Sequence, residues 1–375
     1  MSRRGENIYK RKDGRWEGRL MKQDKKYQYF YARTYKEVKG KMKLFLEQKD
    51  FSKKGQSDQL NHAPKLFEAW LVGEISLRVK PSTYESYYCC MHRHVIPFFS
   101  ESENNKITQD SIAGFVRMVK EKQELAEASK KKILAIFKIS LKEILKDSPE
   151  CHFLIDLVRL PKTEDKEVQV FSMKEQRLIV DAALHSQDRR AIGIVVCFYT
   201  GIRLGELCAL KWSDIDIETG TMSIMRTVSR TRIFEEEPYK TVLLVGTPKS
   251  RKSVRKIPLP AFLLKLINES IECDFNHEYI FSGKDVPSDP RSYQKLFKKI
   301  LKELKLQERK FHAIRHTFAT RALELGVDIK TLSEILGHSS VSITLDIYAH
   351  SLMEQKKVAI EKFNDMYMLN VKQNA

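Results

Sequence analysis

Two stretches constrain this chain more than any other feature: SKKGQSDQLNHAP at 52–64 and LPKTEDKEVQV at 160–170. Both are polar or charged and carry no apolar periodicity, so each reads as a linker that cannot enter a core. A chain of 375 residues cut in this way is expected to fold as separately cored pieces rather than as one domain. The expected domains are 1–55, 62–150 and 168–375, and the fold class is multidomain, mainly α with small β-sheets.

The first piece is the most basic. Residues 1–55 hold 18 Lys and Arg against 7 Asp and Glu, a surplus of 11 within a chain whose whole net charge is +18. Short aromatic and β-branched runs, NIYKR, RWEGRLM and KKYQYFYAR, are broken by Asp13-Gly14 and Gln23-Asp24, and a helical stretch TYKEVKGKMKLFLEQK follows. That pattern predicts a three-stranded sheet plus one helix, with a basic, aromatic strand surface suited to a DNA groove. Lys10, Arg15 and Trp16 are its candidate contacts.

The second piece turns helical, with four amphipathic stretches predicting a compact bundle. Ser82-Thr83 is the expected N-cap of the second helix, with Glu85 in its first turn. Lys80 and Thr83, with Lys130 and Lys131 in the triple-lysine run that opens the last helix, are candidate DNA contacts. The apolar run AIGIVVCFYTGI at 191–202 is too short to span a bilayer and predicts a buried helix, so no membrane association is expected. The six cysteines show no C-x-x-C spacing, which suits reduced thiols better than a disulfide framework or a zinc site. An overall positive charge of this size points to a polyanionic partner, nucleic acid first.

The third piece carries the chemistry-bearing residues. In YTGIRLGELCALKWSDID, Arg203 follows a tight Thr-Gly and Glu206 lies one helical turn on. In TVLLVGTPKSRKSVRKIPLP, two strand-like runs flank a polar turn, which predicts a hairpin presenting Lys249, with Lys252 and Lys256 as rival amines. In FHAIRHTFATRALELGVD, His312 and Arg315 share a helix face at i, i+3, whereas His316 is expected to be rotated away. In LGHSSVSITLDIYAH, Gly337 suits a helix end, His338 follows it, and Tyr348 lies ten residues on. Taken together, two arginines, two histidines, a lysine and a tyrosine can surround one phosphodiester. No carboxylate cluster suggests a two-metal site, and no G-x-x-x-x-G-K-[ST] loop suggests ATP. Metal-free, cofactor-free phosphoryl transfer with a side chain as nucleophile remains.

In the order TGIRLGEL, TPKSRKSVRKIPL, FHAIRHTFAT and LGHSSVSITLDIYAH, the sequence resembles the tyrosine recombinase, or phage integrase, family. The resemblance implies that Arg203 and Arg315 bind the nonbridging phosphate oxygens and that Lys249 protonates the leaving 5′ oxygen. It implies that His312 accepts or shares the nucleophile's proton and that His338 hydrogen-bonds the phosphate. Tyr348 would then attack phosphorus to give a 3′-phosphotyrosyl bond, with Glu206 supporting the site. Residues 62–150 look like the family's core-binding domain. Residues 1–55 resemble the arm-binding domain of integrases from conjugative transposons and Gram-positive phages. The implied activity is integration and excision of a mobile element by a homotetramer on core and arm attachment sites in double-stranded DNA. A directionality factor (an excisionase) is a further implied partner, and the implied location is the bacterial cytoplasm, at the nucleoid. The alternatives are a type IB topoisomerase-like nicking and closing enzyme and a catalytically silent DNA-binding accessory protein.

Overall fold

A computed structural model describes residues 7–10, 16–21, 27–32, 34–51, 62–147, 151–162, 168–234, 240–248, 251–270, 277–345, 347–348, 360–361 and 363. The chain divides into two compact units, Met1–Asp165 and Lys166–Ala375.

The first unit begins with an antiparallel sheet, β1 (Ile8–Lys10), β2 (Trp16–Met21) and β3 (Tyr27–Ala32), in that order, followed by the helix Tyr35–Phe51. Strand alternation sends Ile8, Gly18 and Phe30 to one face, where Val38 and Met42 of the helix close a small core. A Cβ on Gly18 would lie 2.3 Å from the Met42 sulfur, so β2 needs glycine for the helix to approach. Trp16 belongs to this inner face and packs edge-on against Tyr35, with ring centroids 5.3 Å apart. The indole is half-buried there.

A second apolar cluster forms in the helical part of the same unit, around Phe67, Phe99, Phe115 and Phe137. Its main helices are Ala63–Ala69, Pro81–Cys90, Gln109–Glu121 and Glu127–Ile144, and the first two continue through single π turns, Trp70–Ile75 and Met91–Val95. The second helix does not start at the expected Ser82-Thr83 cap. Lys80 is the N-cap residue, in extended backbone with no side-chain cap bond, and Pro81 is the first helical residue. Proline presets the helical φ and lacks the N–H that a cap would have to satisfy. Lys130 is also unlike its expectation: it is only 8% exposed, and its ammonium donates to the Lys120 carbonyl and pairs with Glu127. The helix turns it inward, while Lys131, Lys80 and Lys10 stay exposed and Thr83 is half-buried.

In the second unit, the helix Ala191–Thr200 is buried along nearly its whole length, as its apolar sequence predicts. Around it pack the helices Met173–Leu184, Ala261–Ser270, Pro290–Glu303 and His312–Glu324. The reciprocal capping box of Ser172 and Glu175 starts the first of these. Two small sheets lie beside them, β4 (Ile215–Asp216)–β5 (Thr221–Ile224)–β8 (Arg255–Pro258) and β6 (Thr227–Arg232)–β7 (Thr241–Gly246). The strand-like runs on either side of the Pro248 turn are both strands, but they are not partners. β7 pairs with β6 and β8 with β5, so the expected hairpin is a crossing between two sheets. Each run finds its hydrogen bonds on an earlier strand, and local sequence carries no signal for that choice. Cys89, Cys90, Cys197 and Cys208 are free thiols.

Candidate active site

The site is organised by the end of one helix. The helix Ile329–Leu336 begins at Asp328, whose carboxylate accepts from the backbone N–H groups of Lys330 and Thr331. It stops at Gly337, which takes φ +65°, a conformation open to glycine at little cost. The Gly337 N–H then reaches the Glu334 carbonyl at 3.0 Å and the His338 N–H reaches that of Ser333 at 3.1 Å, the Schellman arrangement. Leu-Gly-His is therefore a helix stop that delivers His338 to a fixed place.

A helix end leaves its last carbonyls unpaired and carries partial negative charge. Here three arginines supply the partners. Arg315 Nη2 donates to the Leu336 carbonyl at 2.7 Å and Arg255 Nε to that of Ile335 at 2.5 Å. Arg203 reaches the carbonyls of Leu336 and Gly337, each at 3.4 Å. Arg315 also donates to the Gly201 carbonyl at 2.8 Å, which ties this helix end to the Thr200-Gly201 turn. Gly201 has φ +64°, and a Cβ there would lie 2.3 Å from Phe318, so the turn admits no side chain.

Glu206 is the carboxylate among these cations. Its two oxygens accept from Arg203 Nη1 and Arg255 Nη2, both at 2.9 Å, and one of them also accepts from the Arg203 backbone N–H. Burial alone would raise its pKa; the Arg255 hydrogen bond and charge, with the Arg203 contributions, outweigh that and hold the pKa below the ordinary carboxylate value. Three guanidinium groups around one carboxylate leave an excess of positive charge, the condition for binding an anion. Arg203 is the most accessible of the three, its side chain 36% exposed, whereas those of Arg255 and Glu206 are 6% and 2% exposed.

The histidines respond to that charge. His338 donates or accepts through Nδ1 with the Thr344 hydroxyl at 2.7 Å. Burial, followed by Arg315, Arg203 and Arg255, lowers its pKa to about 4. His312, the first residue of its helix, is likewise lowered to about 4, by desolvation first and then by His316, Arg315 and Arg203. Both imidazoles are neutral at pH 7. Arg315 itself is lowered to about 9 by burial and by Arg203, with Glu206 opposing.

Tyr348 is 3% exposed, in an apolar cluster with Ala319, Ala322, Leu323, Leu332 and Leu336. Its hydroxyl meets Nδ1 of His316 at 2.9 Å. His316, expected to be rotated away from the site, instead stands between the tyrosine and His312, whose ring it meets edge-on at 4.6 Å. A step of four residues turns only about 40° on a helix, so His312 and His316 share a side.

The structure thus brings together Arg203, Glu206, His312, Arg315, His338 and Tyr348 within the second unit. Lys249 and Arg15 lie outside the described residues; Lys252 and Lys256 are exposed. The motif reading missed Arg255, three residues beyond Lys252, and His316. The alternation of β8 marks Arg255 as inward-facing opposite Ile224, and this signal was available in RKIP. On the face of the N-terminal sheet away from its helix, Arg19 sits over the rings of Tyr9 and Tyr29 and pairs with Glu17 at 2.7 Å.

The Phage integrase family profile matches residues 169–355. The chain is 32% identical over 236 residues to a tyrosine recombinase of Agathobacter rectalis, covering 60% of this chain and 71% of that protein. The chain belongs to the tyrosine recombinase, or phage integrase, family. This recombinase is also 36% identical over 224 residues to a tyrosine recombinase XerC-like protein of Caldanaerobacter subterraneus, 54% of this chain but only 56% of that relative's length. With the ICEBs1 integrase of Bacillus subtilis it shares 29% over 303 residues, 76% of this chain and 78% of that protein. In fold it resembles the Tn1549 transposon integrase in complex with a circular intermediate DNA. The TM-score is 0.63 at 18% identity, over 80% of this chain and 99% of that one. A lambda integrase tetramer bound to a Holliday junction gives 0.54 at 18%, over 89% and 96%. No helix of this recombinase, among its described residues, is long and apolar enough to cross a membrane.

Proposed function

We propose that this tyrosine recombinase cuts and rejoins DNA at specific sites to integrate and excise a mobile element. The observation that carries the reading is the convergence of Arg203, Arg315 and His338 on the end of one helix. Tyr348 joins them, bonded to the helix that bears Arg315. Arg203 and Arg315 hold the nonbridging oxygens of the scissile phosphate, and His312 and His338 line it. These groups stabilise the negative charge carried by the phosphate oxygens in the transition state, the usual role of fixed cations in phosphoryl transfer. The Tyr348 oxygen attacks, the 5′ oxygen leaves with a proton from Lys249, and a 3′-phosphotyrosyl bond stores the phosphodiester energy for rejoining. Glu206 keeps the two arginines it bonds from repelling one another.

In this reading residues 1–55 bind arm sites, residues 62–150 bind core sites and residues 168–375 catalyse. The enzyme works as a homotetramer on double-stranded DNA, and an excisionase sets its direction. Names among the relatives and fold neighbours support the mobile-element assignment: ICEBs1 integrase, Tn1549 transposon integrase, and lambda integrase as a tetramer on a Holliday junction.

The test uses a nicked suicide duplex built from the junction of the element that encodes the chain. Wild type accumulates a covalent protein–DNA adduct and Tyr348→Phe accumulates none. An adduct in Tyr348→Phe overturns the nucleophile assignment.

A further inference from the structure

Resting on the reading of Tyr348 as nucleophile, we infer that His316, rather than His312, is the base that takes the Tyr348 proton as the oxygen attacks phosphorus. The hydroxyl and Nδ1 are 2.9 Å apart, inside the 2.6–3.2 Å reach of proton transfer. The hydrogen bond ties Tyr348 to the very helix, His312–Glu324, that presents Arg315. His312 meets His316 through ring contact, and it is His316 that meets the tyrosine.

Chemistry favours this partner over a merely structural one. A buried phenol that needed only a hydrogen-bond acceptor is satisfied by any backbone carbonyl, which cannot accept a proton. Tyr348 has instead an imidazole that is half-buried and kept neutral at pH 7. Desolvation and then Arg315 lower its pKa. With its ring proton on Nε2, a neutral imidazole presents the Nδ1 lone pair to the hydroxyl. The tyrosine needs such a base: burial pushes its pKa up to about 12, only partly offset by Arg315. The described groups facing His316 are Arg315 and His312 on its own helix and Tyr348 from the segment after residue 341.

The step balances. The Tyr348 O–H bond breaks and its proton passes to His316 Nδ1; the O–P bond forms and the P–O5′ bond breaks, its electron pair leaving on the 5′ oxygen. That oxygen takes its proton from Lys249. In rejoining, the 5′-hydroxyl returns its proton to the Lys249 amine as its oxygen bonds phosphorus; the P–O bond to Tyr348 breaks, and the His316 imidazolium protonates the departing phenolate.

His316→Asn preserves a polar group near Nδ1 without a basic lone pair, and His316→Ala removes the contact. Both are compared with wild type in single-turnover cleavage of the suicide duplex, with duplex binding as the folding control. Binding is expected to hold while cleavage slows about 100-fold, within the range for loss of a general base. Wild type is expected to lose rate on acidification through a pKa below the ordinary histidine value, where His316 protonates, and His316→Asn to lack that limb. The defect should persist on a duplex with a 5′-bridging sulfur, a leaving group that needs no acid. A ring-fluorinated tyrosine at 348, more acidic, should recover part of the rate. Wild-type cleavage by His316→Asn, or full rescue by the sulfur leaving group, overturns the proposal and leaves Tyr348 as nucleophile. An adduct in Tyr348→Phe instead overturns the nucleophile, and His316 as its base with it.

Discussion

Arg255 and Glu206 are 49 residues apart in sequence and 2.9 Å apart in space, both nearly sealed from solvent. Through this pair β8 grips the carboxylate that positions Arg203, while the other Arg255 nitrogens hold the Ile335 and Ser253 carbonyls. Removing one member leaves a buried charge without its counterion. Arg255→Ala is expected to destabilise the second unit by about 3–5 kcal/mol in urea unfolding. The double change Arg255→Met with Glu206→Leu should cost less than the sum of the single changes, because the two share one interaction. Strict additivity would show that the pair is not coupled.

The Leu-Gly-His stop makes a sharp demand at Gly337. Alanine there pays about 1–2 kcal/mol for the left-handed backbone, and its Cβ would sit 3.0 Å from the Arg255 guanidinium. Gly337→Ala should therefore lower the Tm and slow cleavage, the second because both Arg255 and His338 shift. Gly201→Ala, facing Phe318 at 2.3 Å, should lower the Tm further. An unchanged Tm in both would contradict the described turns.

Acid should destabilise the free protein in two stages. His338 has a folded pKa of about 4 against 6.5 for the free group, so the unfolded chain takes up its proton first as pH falls. Stability present above pH 6.5 is lost between 6.5 and about 4, by up to about 3 kcal/mol. Glu206, whose folded pKa is depressed, adds stability that is present above 4.5 and lost as pH falls through its lower folded value. Urea midpoints from pH 8 down through the acid range below 4 measure both, and His338→Gln should shrink the first stage to the part that His312 contributes.

DNA binding by the N-terminal sheet should depend on the face opposite its helix. Arg19 lies between the Tyr9 and Tyr29 rings there, and Tyr29 stacks on Tyr31. Arg19→Ala is expected to weaken duplex binding in fluorescence anisotropy and to reduce the salt slope by about 1, the signature of one lost phosphate contact. Trp16→Ala should instead unfold the sheet, since its ring packs against Tyr35. An Arg19→Ala slope equal to wild type would move the DNA face elsewhere.

Much of this protein was legible from residue order alone. The buried Ala191–Thr200 helix, the three-stranded sheet and the glycine stop at 337 follow from local rules of period, turn chemistry and left-handed backbone, each set by a few neighbouring residues. The four motifs likewise nominated Arg203, His312, Arg315, His338 and Tyr348. What residue order could not supply was their partners. Whether the tyrosine oxygen would meet His312 or His316, whether β8 would pair with β7 or β5, and whether Lys130 would point to solvent or to the Lys120 carbonyl were settled by packing. Arg255 shows the reason most clearly: its side chain serves Glu206, 49 positions earlier, and Ile335, 80 positions later. Such contacts are chosen by which buried cations and carbonyls the folded cores leave unpaired, and only tertiary structure brings those groups within reach.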